Sequence, residues 1–404
     1  MFSRRQLFHL LPTVPFLGKL IPRNDSAEAL VGTTAYRDYF KELGLRSFIN
    51  AAGTYTMLTG SLMPDEVSDA IKYASHAYVK LDDIQDRVGE RIAELLGCEA
   101  ATVTAGAASA LTLGTAGVLT GMDADKAVQL PDVTGLKNEV IIQKSHDVGY
   151  VHAVRNCGVN IIYVETREEL EAAINENTAM LLFINTFNFD GEVRDKEFVQ
   201  IGKKHGIPTF NDCAADVPPV ENLWKYTEMG FDLVCFSGGK GIRGPQSAGL
   251  LLGRKDLIAA ARLSAAPRGN TIGRGMKVNK EEVLGMMVAL ELYLEKDHEA
   301  EWLLWEKQIQ LIHDNAMAMP GVQTENHVPE IANHVPSIRI WWDQERIRTT
   351  PDEVREALRM GHPSIETVGG SESVDMTTWM MRPGEERVVA ARLREILEAA
   401  VVGG

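Results

Sequence analysis

Residues 236–246 read Phe-Ser-Gly-Gly-Lys-Gly-Ile-Arg-Gly-Pro-Gln, a lysine among four glycines. An apolar run over residues 232–237 leads into it, so Lys240 is predicted to follow a buried strand and to lie in a glycine-rich turn. Glycines leave room for a ligand near the backbone, and an enclosed lysine can act as an amine nucleophile toward a carbonyl. A lysine in a surface turn shows the same local pattern, so neighbouring segments must decide between the two.

The chain around this turn alternates short apolar runs with amphipathic stretches. Most of the runs are rich in Val, Ile, Leu and Phe, which is typical of strands buried on both faces. Such alternation indicates an α/β fold with a large, mainly parallel sheet covered by helices on both sides. The predicted strands span residues 101–104, 139–142, 160–164, 179–185, 208–211, 232–237 and 248–252, and the helices between them residues 107–120, 148–156, 167–175, 196–205 and 223–229.

Two further segments have polar groups at the ends of predicted strands. Asp212 ends one apolar run, and the carboxyl ends of parallel strands face the crevice where such sheets bind ligands. Residues 103–110 pass from a strand into a helix through small residues, and free amides at a helix start bind anions. Taken alone, Asp212 is equally consistent with a turn aspartate, and residues 103–110 are equally consistent with tight packing of a helix on the sheet. Together with Lys240, they supply the phosphate cradle, carboxylate and lysine that pyridoxal 5′-phosphate requires.

The pattern changes after residue 270. Residues 280–315 form a nearly unbroken helical pattern, which is typical of a helix that links two domains. Strands at 337–342 and 377–381 and helices at 351–360 and 385–400 then predict a smaller C-terminal α+β domain. The expected divisions are a signal-like segment (1–29), an N-terminal segment near the active site (30–63), a large cofactor-binding domain (64–270), and a linking helix with the small domain (271–404).

The composition excludes a disordered chain, a collagen and a disulfide scaffold. The 404 residues are 45% hydrophobic and 24% charged, which is ordinary for a globular protein. The formal net charge of −15 disfavours nucleic-acid binding through the overall field. The four cysteines lie in or beside apolar segments without metal-ligand spacing, which predicts buried free thiols. His146 and His152 are six residues apart and share no helical face, so we expect no metal site there.

The first 29 residues have the character of a targeting segment. Arg4 and Arg5 precede an apolar stretch, residues 7–20, that is too short and too interrupted by proline to span a bilayer. Residues 27–29, Ala-Glu-Ala, offer a cleavage site after it. The pattern resembles a twin-arginine signal and predicts export of the folded protein to the periplasm. An ordinary basic leader on a cytoplasmic protein is the alternative.

Residues 49–56 read Ile-Asn-Ala-Ala-Gly-Thr-Tyr-Thr and residues 145–150 read Ser-His-Asp-Val-Gly-Tyr. With the lysine segment, they resemble the selenocysteine synthase-like group of fold type I pyridoxal phosphate enzymes, over about residues 36–401. That group includes ammonia lyases acting on amino sugars and D-amino acids, and the resemblance lies near the D-glucosaminate-6-phosphate ammonia lyase type. It implies fold type I architecture, with a large mainly parallel sheet domain and a smaller C-terminal α+β domain.

The resemblance also implies roles for residues around the cofactor ring. Lys240 becomes the Schiff-base lysine and, once substrate has replaced it, the acid and base at the α-carbon. Asp212 becomes the partner of the pyridine nitrogen. His146 falls where the family stacks a ring on the cofactor, although a histidine capping the following helix gives the same pattern.

The same resemblance assigns the phosphate site. The amides of Ala105, Gly106 and Ala107 would hold the phosphate, and Ser237 would add a hydroxyl. Selenocysteine synthase itself has a separate N-terminal domain that binds transfer RNA, whereas residues 30–46 stand in its place here. Together with the acidic composition, this difference predicts a chain without a nucleic-acid partner.

Substrate recognition calls for an arginine, because the guanidinium fork matches a carboxylate. Arg382 follows a predicted strand of the small domain and is the first candidate, and Arg274 is the second, at the site of a neighbouring subunit. Asn50, Thr54 and Tyr55 are expected to line the substrate side. Surface exposure for the two arginines and strand or turn packing for the other three are the alternatives.

These residues predict a pyridoxal phosphate enzyme that acts at the α-carbon of a small amino acid or amino-sugar acid. The favoured reaction is α,β-elimination with release of ammonia, and Lys240 removes the α-proton. Selenocysteine synthase-like β-replacement, transamination and racemisation use the same residues, and a relic cofactor-binding protein is the non-enzyme alternative. Because related enzymes build active sites across a two-fold interface, we expect at least a dimer, and no stable membrane span.

Overall fold

The structure is built around one large sheet and a smaller antiparallel one. The computed structural model describes residues 37–401. Its strands are β1 (Phe48–Asn50), β2 (Ala100–Thr104), β3 (Glu139–Gln143), β4 (Asn160–Val164), β5 (Thr178–Ile184), β6 (Thr209–Asp212), β7 (Leu233–Ser237), β8 (Gly249–Gly253), β9 (Val322–His327), β10 (Ser337–Trp342), β11 (Ser364–Glu366) and β12 (Val374–Thr377).

Helices cover the large sheet and carry the C-terminal part. They are α1 (Tyr39–Glu42), α2 (Asp65–Ser75), α3 (Leu81–Leu96), α4 (Gly106–Thr120), α5 (Ala124–Gln129), α6 (His152–Arg155), α7 (Arg167–Ala173), α8 (Asp195–His205), α9 (Asn222–Met229), α10 (Lys255–Leu263), α11 (Lys280–Glu295), α12 (His298–Met317), α13 (Pro351–Met360) and α14 (Glu385–Ala399).

The large sheet has seven strands in the order β2-β8-β7-β6-β5-β3-β4. The strands β3 to β7 are parallel, and β8 runs against both β7 and β2. β2 therefore runs with the parallel strands, and the carboxyl ends of β2, β3, β5, β6 and β7 meet at one edge. All seven predicted strands are confirmed to within one residue at each end.

Both faces of this sheet are buried, as its apolar composition predicts. Along β5, Leu181 and Phe183 join the core on one face, while Met180 and Leu182 join the core on the other. Helix α4 lies very close to the sheet because its glycines have no side chain. A Cβ on Gly114 would lie 2.4 Å from the Phe210 ring, so this helix, which begins directly after β2, depends on a small residue there.

The C-terminal part is an antiparallel sheet, β12-β10-β9, packed against α12 and α13, and α14 packs against these two helices. Strand β1 belongs to the same core, since it pairs in parallel with β11 and Ile49 is opposite Ile365. Ala51 continues this connection: its amide donates to Glu366 O at 2.9 Å, and its carbonyl accepts from the Thr377 amide at 2.9 Å. The segment after β1 is thereby held where it can reach the large sheet.

Three sequence predictions are wrong in detail. The helix expected over residues 280–315 is broken into α11 and α12, because Lys296 is extended and the Asp297 side chain caps α12 by accepting from the Ala300 amide. The strand expected at 377–381 ends at Thr377, and a turn follows. The helix expected at 148–156 is a short 3₁₀ turn, Gly149–Val151, followed by the single turn of α6.

Residues 48–401 form one compact unit, and residues 37–47, with α1, belong to a separate one. The predicted signal at residues 1–29 lies outside the described residues. From residue 37 to 401, no helix has both the length and the hydropathy needed to cross a bilayer. The four cysteines are confirmed as free thiols, and all but the half-buried Cys98 are fully buried.

Candidate active site

Lys240 lies in the turn that follows β7, and its neighbouring glycines are required by close backbone contacts. A Cβ on Gly239 would lie 2.3 Å from Gln246 Cα, and one on Gly241 would lie 2.1 Å from Val217 O. Lys240 itself is half-buried. Burial lowers the pKa of its amine, and the negative charges of Asp212 and Asp216 oppose that shift. The structure therefore brings the predicted lysine and the predicted carboxylate together.

Asp212 is the last residue of β6 and is 6% exposed. Its Oδ1 accepts hydrogen bonds from the Ala214 amide at 3.0 Å and from the Cys235 thiol at 3.6 Å. Burial raises the pKa of this carboxyl, while the Ala214 amide and the charge of Lys240 act in the opposite direction. The described residues donate no hydrogen bond to Oδ2, which leaves that oxygen for a ligand.

The turn between β2 and α4 has the form of an anion cradle. Gly106 has a φ of +82°, which favours glycine, and the first amides of α4 have no partner within the helix. Gly249 touches this turn from β8, because a Cβ there would lie 2.6 Å from Gly106 C and 2.8 Å from Ala107 N. Gly249 pairs with Thr104 on one side and with Ser237 on the other, so the half-buried Ser237 ends near the cradle formed by residues 105–107.

His146 is placed differently from the rest of the predicted site. Its side chain is 0% exposed, and its ring meets Phe183 edge-on with 4.5 Å between ring centroids. Nδ1 accepts a hydrogen bond from the Ile184 amide at 3.1 Å, and burial lowers the pKa of the ring to about 4. The ring is fully buried against Phe183 of β5, and its stacking on the cofactor stays a prediction.

The three predicted substrate-side residues lie in one loop after β1, with different surroundings. The Asn50 side chain holds the loop itself, accepting from the Gly53 amide at 2.9 Å and donating to Gly53 O at 3.0 Å. Thr54 is buried and its hydroxyl donates to Asn333 Oδ1 at 3.2 Å, whereas Tyr55 is 45% exposed. Of the three, Tyr55 alone presents a largely free side chain.

Both predicted substrate arginines are exposed. Neither Arg274 nor Arg382 forms a side-chain hydrogen bond or an ion pair within the part of the chain that the structure describes. The structure does not bring either guanidinium to Lys240 or Asp212 within one chain. Both cations are therefore free for a ligand, and their assignment to substrate stays a prediction.

Comparison with known proteins identifies the family of this chain. The family model for L-seryl-tRNA selenium transferase matches residues 48–325. The chain belongs to the L-seryl-tRNA selenium transferase family. It is 31% identical to the D-glucosaminate-6-phosphate ammonia lyase of Salmonella typhimurium, covering 89% of this chain and 98% of that enzyme.

Solved structures share the fold of this chain. A D-glucosaminate-6-phosphate ammonia-lyase superposes with a TM-score of 0.80 at 29% identity, covering 90% of this chain and 99% of that one. A serine palmitoyltransferase from S. paucimobilis with bound pyridoxal phosphate is 15% identical and superposes at 0.57 over 88% of this chain and 89% of that one, a likeness of fold alone. The predicted fold type I architecture is confirmed.

Pyridoxal phosphate is the cofactor of the selenium transferase family, and the residues of this chain fit it. The turn at residues 105–107 lies so close to Gly249 that a Cβ on Gly249 would clash with it. The free amides of this turn suit a phosphate. The open Oδ2 of Asp212 suits a protonated ring nitrogen. Lys240, with a lowered pKa, can offer a neutral amine to an aldehyde. These groups line one edge of the sheet, as the sequence predicted.

Sequence reasoning missed three residues that complete the site. Asp216 is buried four residues after Asp212, and nothing in its local pattern separates it from a turn aspartate. The Cys235 contact requires the register of β6 against β7. Arg243 has a φ of +58° and donates from Nη2 to Trp379 O at 2.6 Å, which ties the lysine turn to the C-terminal part. The local sequence around Arg243 could not predict its contact with Trp379, because the two residues are 136 positions apart.

Proposed function

We propose that this member of the selenium transferase family is a pyridoxal phosphate-dependent lyase that releases ammonia by α,β-elimination from a small amino acid or amino-sugar acid. The observation that carries the proposal is the 31% identity to an ammonia lyase across 98% of that enzyme. The half-buried Lys240 beside Asp212 supports it, since elimination needs a base at the α-carbon.

Each group of the site has one task in this proposal. The amides at residues 105–107 and the Ser237 hydroxyl hold the phosphate, and Asp212 holds the ring nitrogen. Bound pyridoxal phosphate supplies the electron sink for the charge that develops at the substrate α-carbon. Lys240 Nζ takes the α-proton and returns a proton to the departing group. The lowered pKa of Lys240 keeps a fraction of its amine neutral and therefore basic.

We assign the substrate carboxylate to Arg382 first and to Arg274 second, because both guanidiniums lack an acidic partner within residues 37–401. Tyr55 adds a phenol at the substrate side. If Arg382 binds the carboxylate, Arg382→Ala raises KM at least tenfold with a smaller change in kcat, and Arg382→Lys recovers part of the loss. An unchanged KM in both variants transfers the assignment to Arg274.

The proposal that the protein is a homo-oligomer is supported by exposed apolar side chains near the lysine turn. The surface formed by residues 55–78 exposes several large apolar side chains, among them Tyr55, Met57, Leu62, Tyr73 and Tyr78, and exposed apolar surface is typical of an interface. Ser61 donates to Gly239 O at 3.0 Å, so this surface directly adjoins the Lys240 turn. We propose that a second copy of the chain covers it and completes the site.

Oligomerisation is testable by light scattering during gel filtration. Met57 is 87% exposed, and Met57→Asp is expected to reduce the assembly to a smaller species. Met122→Asp, at a methionine that is 65% exposed elsewhere, provides the matched control and leaves the mass unchanged. A monomeric wild type argues against the shared site.

Export by the twin-arginine route is our proposal for location, resting on Arg4, Arg5 and the apolar stretch that follows. Amino-terminal sequencing of the periplasmic protein is expected to begin after the Ala-Glu-Ala site at residues 27–29. An intact Met1 in a cytoplasmic fraction overturns the proposal and favours a cytoplasmic enzyme.

The reaction is tested on the holoenzyme with a panel of D- and L-amino acids and amino-sugar acids, by release of ammonia and of a keto acid. Elimination releases both in equal amounts, whereas Lys240→Ala abolishes the release and the exposed Lys277→Ala does not. Keto acid with transfer of the amino group to the cofactor indicates transamination instead.

The β-replacement alternative is favoured by the family model over residues 48–325 and by relatives named L-seryl-tRNA(Sec) selenium transferase. Its substrate is an aminoacylated RNA, and the formal charge of −15 opposes binding of a polyanion. Retention of seryl-tRNA by the holoenzyme in a mobility-shift assay would favour it over elimination.

A further inference from the structure

A second buried carboxyl lies beside Asp212 and has no hydrogen-bond partner. Asp216 is 1% exposed, and neither of its side-chain oxygens receives a hydrogen bond. Its backbone is firmly held, since the amide donates to Cys213 O at 3.1 Å and the carbonyl accepts from Asn222 Nδ2 at 2.7 Å. The carboxyl is therefore enclosed by protein and has no donor among the described residues.

The surroundings of Asp216 contain one cation and one further anion. Lys240 supplies the positive charge and Asp212 the negative one. The Asn185 side chain and the Ala332 backbone are near the Asp216 carboxyl and favour its ionised form. Neither forms a hydrogen bond with the Asp216 oxygens. The other titratable neighbours are neutral, because burial raises the pKa of each: Cys213, Cys235 and Tyr226.

Two buried carboxyls that share one cation do not ionise equally. Asp212 has two donors, the Ala214 amide and the Cys235 thiol, that stabilise its carboxylate. Asp216 has none, so its ionised form has the higher free energy. Burial and the charge of Asp212 together raise the pKa of Asp216 to about 7.

We propose that Asp216 is a positioning residue of the cofactor site, which holds the proton of the Asp212–Asp216 pair and thereby keeps Asp212 ionised for the cofactor's ring nitrogen. Below neutral pH, the pair carries one negative charge against one cationic ring nitrogen. As pH rises, Asp216 gives its proton to solvent, and a second negative charge appears beside Asp212.

The proposal is tested by infrared spectroscopy of the full-length protein as purified, with pyridoxal phosphate added. A protonated buried carboxyl has a C=O stretch distinct from that of a carboxylate. Wild type is expected to show this band at low pH and to lose it with a midpoint near neutrality. Asp216→Asn, which is nearly isosteric and permanently neutral, is expected to lack the titrating band.

A second variant reports the coupling between the two carboxyls. Asp212→Asn removes the neighbouring negative charge, so the Asp216 transition is expected to move to lower pH by about one unit or more. Asp83→Asn, at an exposed aspartate of α3, is the matched control and leaves the band unchanged. This arm keeps the proposal testable if Asp216→Asn fails to fold.

Two results overturn the proposal. One is a wild type without a titrating carboxyl between about pH 5 and about pH 9. The other is a band that persists unchanged in Asp216→Asn. Because the readout needs no substrate, a failure here is distinct from a failure of the proposed elimination reaction.

Discussion

The Cys235 thiol donates a hydrogen bond to Oδ1 of Asp212, with 3.6 Å between sulfur and oxygen. The two residues are register partners on the adjacent parallel strands β6 and β7, and both are buried. This thiol and the Ala214 amide are the donors that stabilise the Asp212 carboxylate. A cysteine that looks like core packing in the sequence is therefore part of the cofactor site.

Removing this donor should weaken cofactor binding. Cys235→Ala leaves Asp212 with the Ala214 amide as its one donor, which raises the pKa of the carboxyl and disfavours its ionised form. We expect the Kd for pyridoxal phosphate to rise about 3- to 10-fold, equivalent to roughly 1 kcal/mol. Equilibrium dialysis measures the change, and Cys235→Ser should restore most of the affinity.

Cys157→Ala provides the matched control for that experiment. Its thiol is also fully buried, but it donates to Thr112 O at 3.2 Å and not to Asp212. The loss of packing is comparable, but cofactor affinity should not change. Equal weakening in both variants would attribute the effect to packing.

Gly249→Ala should disrupt the phosphate cradle without adding any charge. The new Cβ would lie 2.6 Å from Gly106 C, so the start of α4 has to move away from β8. We expect at least a tenfold weaker Kd for pyridoxal phosphate. Gly275→Ala, at a position with no atom within 4 Å of the added Cβ, should bind the cofactor like wild type. Unchanged affinity in Gly249→Ala would remove the cradle from the site.

The hydrogen bond from Arg243 to Trp379 O should stabilise the folded protein. The left-handed backbone of Arg243 should lower the free energy of unfolding. Arg243→Ala loses the bond and keeps the strain, so we expect about 1–3 kcal/mol of destabilisation in urea unfolding. Arg243→Gly loses the same bond but accepts a φ of +58°, and should be roughly 1 kcal/mol more stable than Arg243→Ala. The exposed Arg348→Ala should stay within about 0.5 kcal/mol of wild type.

His146 should make the protein less stable in acid. Its pKa is lowered to about 4 in the folded protein by burial, so the unfolded chain binds the proton more tightly. The free energy of unfolding therefore falls as pH falls from about 6.5 to about 4, by at most roughly 3 kcal/mol from this group.

His146→Asn tests that loss, because the amide oxygen can accept from the Ile184 amide as Nδ1 does but cannot be protonated in this range. As pH falls, the free energy of unfolding should decrease more in wild type than in the variant. The exposed His76→Asn is the control. A gap that stays constant with pH would contradict the buried, neutral ring.

Local sequence pattern predicted most of the large domain. Strand β4 and helix α13 have the bounds expected of them, because apolar periodicity and the Thr350 cap act over a few residues. The pairing of Lys240 with Asp212 was predictable because both follow strands of a parallel sheet. The break at Lys296 was missed because Asp297 competes as a cap within an otherwise continuous helical pattern.

The fold class, the cofactor and the order of cradle, carboxylate and lysine along the chain could all be predicted from the amino-acid sequence. These depend on strand ends and turn residues, which short-range chemistry sets. The tertiary structure alone decided the strand order, the burial of His146 and the contacts of Asp212 with Cys235 and Asp216. Those depend on register and desolvation between segments far apart in sequence, and no local pattern carries that information.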